Sequence, residues 1–147
     1  RSPSVLHSKH AFKNLSKVDS NTMSYVPKVG TVGWVDISSD RCEELRDFYA
    51  HVIGWKSEAV DCGDFDDYNM IPPEGSDPAA GVCHKTAVTP DCDPMWMVYF
   101  TVADLDKSLE QVKARGGEVL TKKHAYGSGG FAFIRDPAGA ICALFQS

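Results

Sequence analysis

Few side chains in this sequence can hold a proton, a metal or an electron pair in suggestive company. Asp36 sits inside an apolar run, Val35-Asp36-Ile37, and His84 lies in a second, Ala80–Val88. Together they could form an acid–base pair or part of an unusual metal site; alternatively they are a hydrogen-bonded Asp and a surface His. Cys83 adjoins His84, but neighbours in a strand point to opposite faces, which argues against a Cys–His dyad. The five cysteines, at 42, 62, 83, 92 and 142, form no Cys-x-x-Cys pair and leave one over. That pattern predicts small buried thiols in a reducing, cytoplasmic setting rather than disulfides or a zinc finger. Gly127-Ser128-Gly129-Gly130 has no lysine and reads as a hairpin connection, not a phosphate loop. Gly-x-Ser-x-Gly is absent. His51 and His124 read as solvated.

The aromatic residues suggest recognition rather than bond-making. Trp34, Tyr68, Tyr99, Phe131 and Phe133 all fall in strand-like runs and are expected on inward strand faces. Such rings could line a cleft for a planar or hydrophobic molecule, or could fill the core. Each ring pair is worth about 0.5–1.5 kcal/mol beyond area burial.

Positioning these groups requires strands and helices, and the chain punctuates them clearly. Residues 29–37 read as a strand. Asp40 followed by Glu43 matches a capping box, and the next helix places Leu45, Phe48, Tyr49, Val52 and Ile53 in one apolar stripe. Gly54 supplies its left-handed stop. A strand over 55–60 follows, then an acidic turn into a strand near Tyr68–Ile71, the Pro72–Pro78 loop and a strand within 80–88. The pattern then begins again. A strand over 96–102 leads through Asp104 to a helix with Leu105, Leu109 and Val112, ended by Gly116-Gly117. Residues 118–122 read as a strand, and the strands 131–134 and 140–145 flank Asp136-Pro137-Ala138-Gly139. Leu45 and Phe48 match Leu109 and Val112 at an offset of 64, which points to a duplicated module.

Composition bounds the partners. The 147 residues are 43% hydrophobic and 24% charged, with a net charge of −5. From Met23 onward eleven Lys and Arg face nineteen Asp and Glu, −8, so a phosphate backbone is disfavoured as a partner. No apolar run approaches the ~18–20 residues that span a membrane. Residues 1–22, rich in Ser, Lys and Asn, read as a leader outside the fold, with Met23 as the natural start. Residues 23–147 are expected to form one domain, with module one at about 28–90 and module two at about 94–146.

The segment Thr31–Ile37 with Phe48-Tyr49 and Ile53-Gly54-Trp55 resembles the opening module of the vicinal-oxygen-chelate superfamily, which includes glyoxalase I, bleomycin-resistance proteins and extradiol dioxygenases. Tyr99–Asp104, Gly116–Val119 and Asp136–Ala140 are similar to its second module. The resemblance implies an α+β fold in which two βαβββ modules form a curved mixed sheet around a ligand cleft, and commonly a homodimer. Metal-dependent members bind a divalent ion through the first and last strands of the modules. At those places this chain carries Trp34, Met97 and Ala143, none of which can ligate a hard metal. The expectation is therefore a protein that binds a small organic molecule with no metal or other cofactor. Its expected ligand-binding residues are Trp34, Asp36, Tyr68, His84, Met97, Tyr99, Phe131 and Phe133, with Asp36 and His84 as catalytic candidates. The resemblance leaves two alternatives: a lyase, isomerase or dioxygenase with rearranged ligands, and a non-catalytic interaction module.

Overall fold

A computed structural model describes residues 27–147; the expected leader, residues 1–22, lies outside the described residues. The chain is α+β, and its described part divides into two compact units. One is Val35–Trp96; the other combines residues 27–34 with Met97–Ser147.

The first unit contains most of β1 (Val32–Ser39), then α1 (Cys42–Ile53), β2 (Lys56–Asp61), β3 (Asp66–Ile71) and β4 (Ala80–His84). Its strands lie in the order β2-β3-β4-β1, with β1 and β4 parallel and the other pairs antiparallel. Ile37, Met70 and Val82 pack against Cys42 beneath α1, with Leu45, Trp55, Tyr68 and Trp96 around them. Gly54 ends α1 in the left-handed region at φ 84°, as a C-terminal glycine does. The start of α1 differs from expectation. Its N-cap is Arg41, with no side-chain cap, and Ser39 Oγ accepts from the Arg41 amide instead of Asp40 capping the turn. The apolar stripe also divides. Leu45 packs on the core, whereas Phe48, Val52 and Ile53 are exposed. Tyr49 uses its edge, meeting Trp96 and Trp55 and accepting a hydrogen bond from Trp96 Nε1 at 3.0 Å.

The second unit repeats the scheme with β5 (Trp96–Thr101), α2 (Leu105–Ala114), β6 (Glu118–Val119), β7 (His124–Tyr126), β8 (Gly129–Arg135) and β9 (Ile141–Gln146). Again the first and last strands are parallel, here β5 and β9, and β8 is antiparallel to β9. Asp104 caps α2 by accepting from the Lys107 amide. Leu105, Ile134 and Leu144 form the core below α2, with Leu109 and Val112 packed against them. The expected strand over 118–122 is two short pieces, β6 and β7, both antiparallel to β8. Between Val119↔Ile134 and His124↔Phe131, four residues oppose two, so the edge bulges. Thr121 Oγ1 accepts from the Phe133 amide across that interruption.

Candidate functional site

In the first unit the parallel pairing of β1 and β4 sets Ser39 opposite His84. That register brings His84 beside the turn leading into α1, whose first helical residues are Cys42 and Glu43. The imidazole is held from both sides. Its Nε2 lies 2.9 Å from Glu43 Oε1 and its Nδ1 lies 3.3 Å from Asp67 Oδ1. Asp67 Oδ1 also accepts from the His84 amide at 2.7 Å, and Asp67 Oδ2 accepts from the Cys62 thiol at 3.5 Å. The Phe65 ring stands 4.6 Å from the imidazole. Ligand atoms of Cys42, Asp67 and His84 all lie within 4.8 Å of one another. These three could hold a metal, in tension with the expectation of none.

The thiols here are not poised nucleophiles. Burial, reinforced by Asp67, pushes both Cys42 and Cys62 up to about 12. Burial raises Cys83 well above its ordinary value, and Asp36 adds to the rise. A neutral thiol is a poor attacker. Asp36, the carboxylate that the sequence suggested for His84, is buried. It stands opposite Gly81 in the β1–β4 register, on the face that Cys83 shares. The carboxylates that meet His84 are Asp67 and Glu43. Tyr68 likewise faces α1, where the Arg46 guanidinium sits 4.6 Å from its ring centre. Its expected inward orientation is corrected by the β3 alternation, in which Tyr68 and Met70 share the helix-covered face.

In the second unit the face turned away from α2 is aromatic. Tyr99, Phe131, Phe133 and Phe145 are buried there, as is Met97. Register makes Ala143 the centre: Tyr99 on β5 and Phe133 on β8 both stand opposite it. The two rings lean toward each other across that small side chain, with centroids 6.0 Å apart, and Phe133 meets Phe131 edge to face at 5.8 Å. Tyr126 packs against Phe145 in a tilted pair at 5.7 Å.

His124 was expected in solvent but lies in β7, half-buried, with its ring 5.1 Å from Phe131. Burial, and then Lys122, holds its pKa below the ordinary value, so the imidazole is neutral at pH 7. Its Nε2 is buried without a partner among the described residues, as are Trp34 Nε1 and Thr101 Oγ1. Thr101 reaches its place only because residue 33 is glycine. A Cβ at Gly33 would come within 2.6 Å of Thr101 Oγ1. Buried polar atoms left unpaired cost about 1–3 kcal/mol each, so Thr101, on the Tyr99 side of β5, and His124, beside Phe131, bear on what the aromatic face meets.

The positions that the resemblance gives to metal ligands hold Trp34, Met97 and Ala143, all buried. An indole N–H only donates, a thioether is a weak soft donor and a methyl offers nothing, so these residues do not fit a divalent ion.

Comparison with known proteins agrees with the duplicated architecture. A family model, Glyoxalase/Bleomycin resistance protein/Dioxygenase superfamily, matches residues 31–143. CFP32 of Mycobacterium bovis, a protein assigned as a glyoxylase, is 29% identical over 122 residues, covering 82% of this chain and 46% of its own length. The anthracycline biosynthesis protein DnrV of Streptomyces peucetius is 32% identical over 111 residues, covering 76% and 39%. The chain thus spans less than half the length of these curated relatives. Among solved structures, a glyoxalase/bleomycin resistance protein/dioxygenase superfamily member from Vibrio splendidus 12B01 superposes with a TM-score of 0.52 at 13% identity, covering 78% of this chain and 97% of that one. A methylmalonyl-CoA epimerase in complex with methylmalonyl-CoA and NH4+ gives 0.52 at 15%, covering 82% and 96%. At these identities the superpositions bear on fold.

Proposed function

Because the chain belongs to the Glyoxalase/Bleomycin resistance protein/Dioxygenase superfamily, we propose that it binds a small planar organic molecule on the aromatic face of its second unit, without the divalent ion that metal-dependent members use. One observation carries this reading. Where a metal-dependent member would place its last ligand, Ala143 is flanked in register by Tyr99 and Phe133, whose rings lean toward each other. Rings in that arrangement favour stacking on a flat apolar skeleton over coordination of an ion.

The partnerless atoms supply polarity. Thr101 Oγ1 can donate or accept, and a neutral His124 Nε2 can do either according to its tautomer. A plain core gains nothing from such atoms, whereas a binding face gains orientation. A flat molecule bearing two or three polar substituents matches this inventory. The likeness to DnrV supports a polycyclic aromatic of the anthracycline kind as the first compound to try. Trp34, Met97, Tyr99, Phe131 and Phe133 are the residues proposed to touch it. Exposed Phe48, Val52 and Ile53 support association of the chain as a homodimer, which sedimentation would check. Among the described residues, no helix is long and apolar enough to cross a membrane.

Thermal unfolding in the presence of a panel of planar aromatics tests the proposal. A ligand that binds only the native state at a hundred times its Kd stabilises by about 2.7 kcal/mol. The shift should survive excess chelator and shrink in Phe133→Leu. A panel without any shift, or a shift abolished by chelator, would overturn it.

A further inference from the structure

We infer that Cys42, Asp67 and His84 form a binding site for a borderline-soft divalent cation, best suited to Zn2+, beside the first turn of α1. The site uses none of the residues at the positions discussed for the family, and it stands independently of the proposed ligand-binding face.

The donor set comes first. One thiol, one imidazole and one carboxylate suit zinc, whereas calcium and magnesium prefer oxygen alone. Distances come next. Zinc–ligand bonds of 2.0–2.3 Å at tetrahedral angles place ligand atoms about 3.3–3.8 Å apart. Asp67 Oδ1 and His84 Nδ1 already stand 3.3 Å apart, and all three ligand atoms lie within 4.8 Å. Closing around an ion therefore asks for a movement of about 1 Å at most, within the reach of side-chain rotation.

The surroundings favour the ion as well. A metal on His84 Nδ1 leaves Nε2–H free to donate, and Glu43 Oε1 waits 2.9 Å from that nitrogen. This carboxylate–histidine–metal relay fixes the tautomer and raises the basicity of the ligand. The Cys62 thiol donates to the other Asp67 oxygen, and the Phe65 ring packs beside the imidazole at 4.6 Å, tilted by 50°. Cys42 is fully buried and Asp67 nearly so, so neither donor is shared with bulk water. Binding forms the Zn–S bond and breaks S–H, and the proton leaves to solvent or buffer. Three protein donors leave the fourth zinc position for water.

The whole chain, stripped with chelator under reducing conditions, provides the test. Titration with Co2+ should saturate at one equivalent, with a near-ultraviolet thiolate-to-cobalt charge-transfer band. Zn2+ should displace the cobalt and remove the band. Cys42→Ser should lose the charge-transfer band, and Cys62→Ser should keep it. Glu43→Gln lies at an exposed position and leaves the core intact, so it decides the matter if Cys42→Ser fails to fold. It should weaken binding about 10–100-fold. Absence of the band at one equivalent, its persistence in Cys42→Ser, or unchanged affinity in Glu43→Gln would each overturn the site.

Discussion

Replacing Phe133 by Leu probes the aromatic face with little change in volume. Phe133 is 4% exposed and makes two ring contacts, with Tyr99 at 6.0 Å and 68° and with Phe131 at 5.8 Å and 83°. Both geometries are the edge-to-face kind, worth about 0.5–1.5 kcal/mol each beyond buried area, so the ring contributes about 1–3 kcal/mol through them. Leu refills most of the space, and near-conserving swaps otherwise cost under about 1.5 kcal/mol. A net loss of about 1–3 kcal/mol is therefore expected. For a chain of this size that lowers the melting temperature by about 3–4 °C per kcal/mol. Total stabilities of about 5–15 kcal/mol leave the variant folded. Urea unfolding followed by circular dichroism would measure the difference, with Phe133→Ala, expected to cost about 3–5 kcal/mol, as the scale. The same Phe133→Leu protein should bind planar ligands about 2–13-fold more weakly for each ring contact with the ligand that is lost. A stability change below about 0.5 kcal/mol would refute the packing argument, because two formed ring pairs cannot be removed at that cost.

Three other outcomes follow from local geometry. The pKa of His124 is held below its ordinary value of 6.5, so below pH 6.5 the unfolded chain takes up a proton that the folded one resists. Its contribution is thus complete above 6.5 and is lost as pH falls from there toward the folded pKa; melting curves across this range should flatten in His124→Gln. Asp104→Ala removes the cap on α2 and should cost about 0.5–2 kcal/mol, while Asp40→Ala, which removes no cap from α1, should be nearly neutral by the same denaturation assay. In Gly129→Ala the new Cβ would lie 2.0 Å from the Gln146 carbonyl oxygen, so β8 and β9 must separate at that end. A loss of about 2–4 kcal/mol is expected, and amide exchange at Gly130 and Gln146 should rise together.

The duplicated βαβββ order, the two helices and the Gly54 stop are readable in the chain because they rest on local periodicity and on glycine's tolerance of positive φ. The split of the edge strand into β6 and β7 is not, because two looped-out residues leave no mark in hydrophobic pattern. The Asp40 cap failed for a related reason. Ser39 competes for the same turn, and only the register of β1 shows which oxygen arrives. Phe48, Val52 and Ile53 have the spacing of a buried stripe but are exposed, while Cys42, Leu45 and Tyr49 carry the packing of α1.

The sites divide in the same way. Sequence alone determined that Trp34, Met97 and Ala143 cannot serve as a hard-metal centre, since donor chemistry belongs to residue type. It also grouped Phe131 and Phe133 on one face, since strand alternation has a period of two. Only the tertiary structure decided that Ala143 is where Tyr99 and Phe133 approach, and that His124 joins Phe131. It likewise brought His84 to Asp67, Glu43 and Cys42, residues 17, 41 and 42 positions away along the chain. The parallel register of β1 and β4 brings the end of one strand beside the helix that follows the other. Pairing between distant strands is settled by the whole sheet, so no local window of sequence holds it.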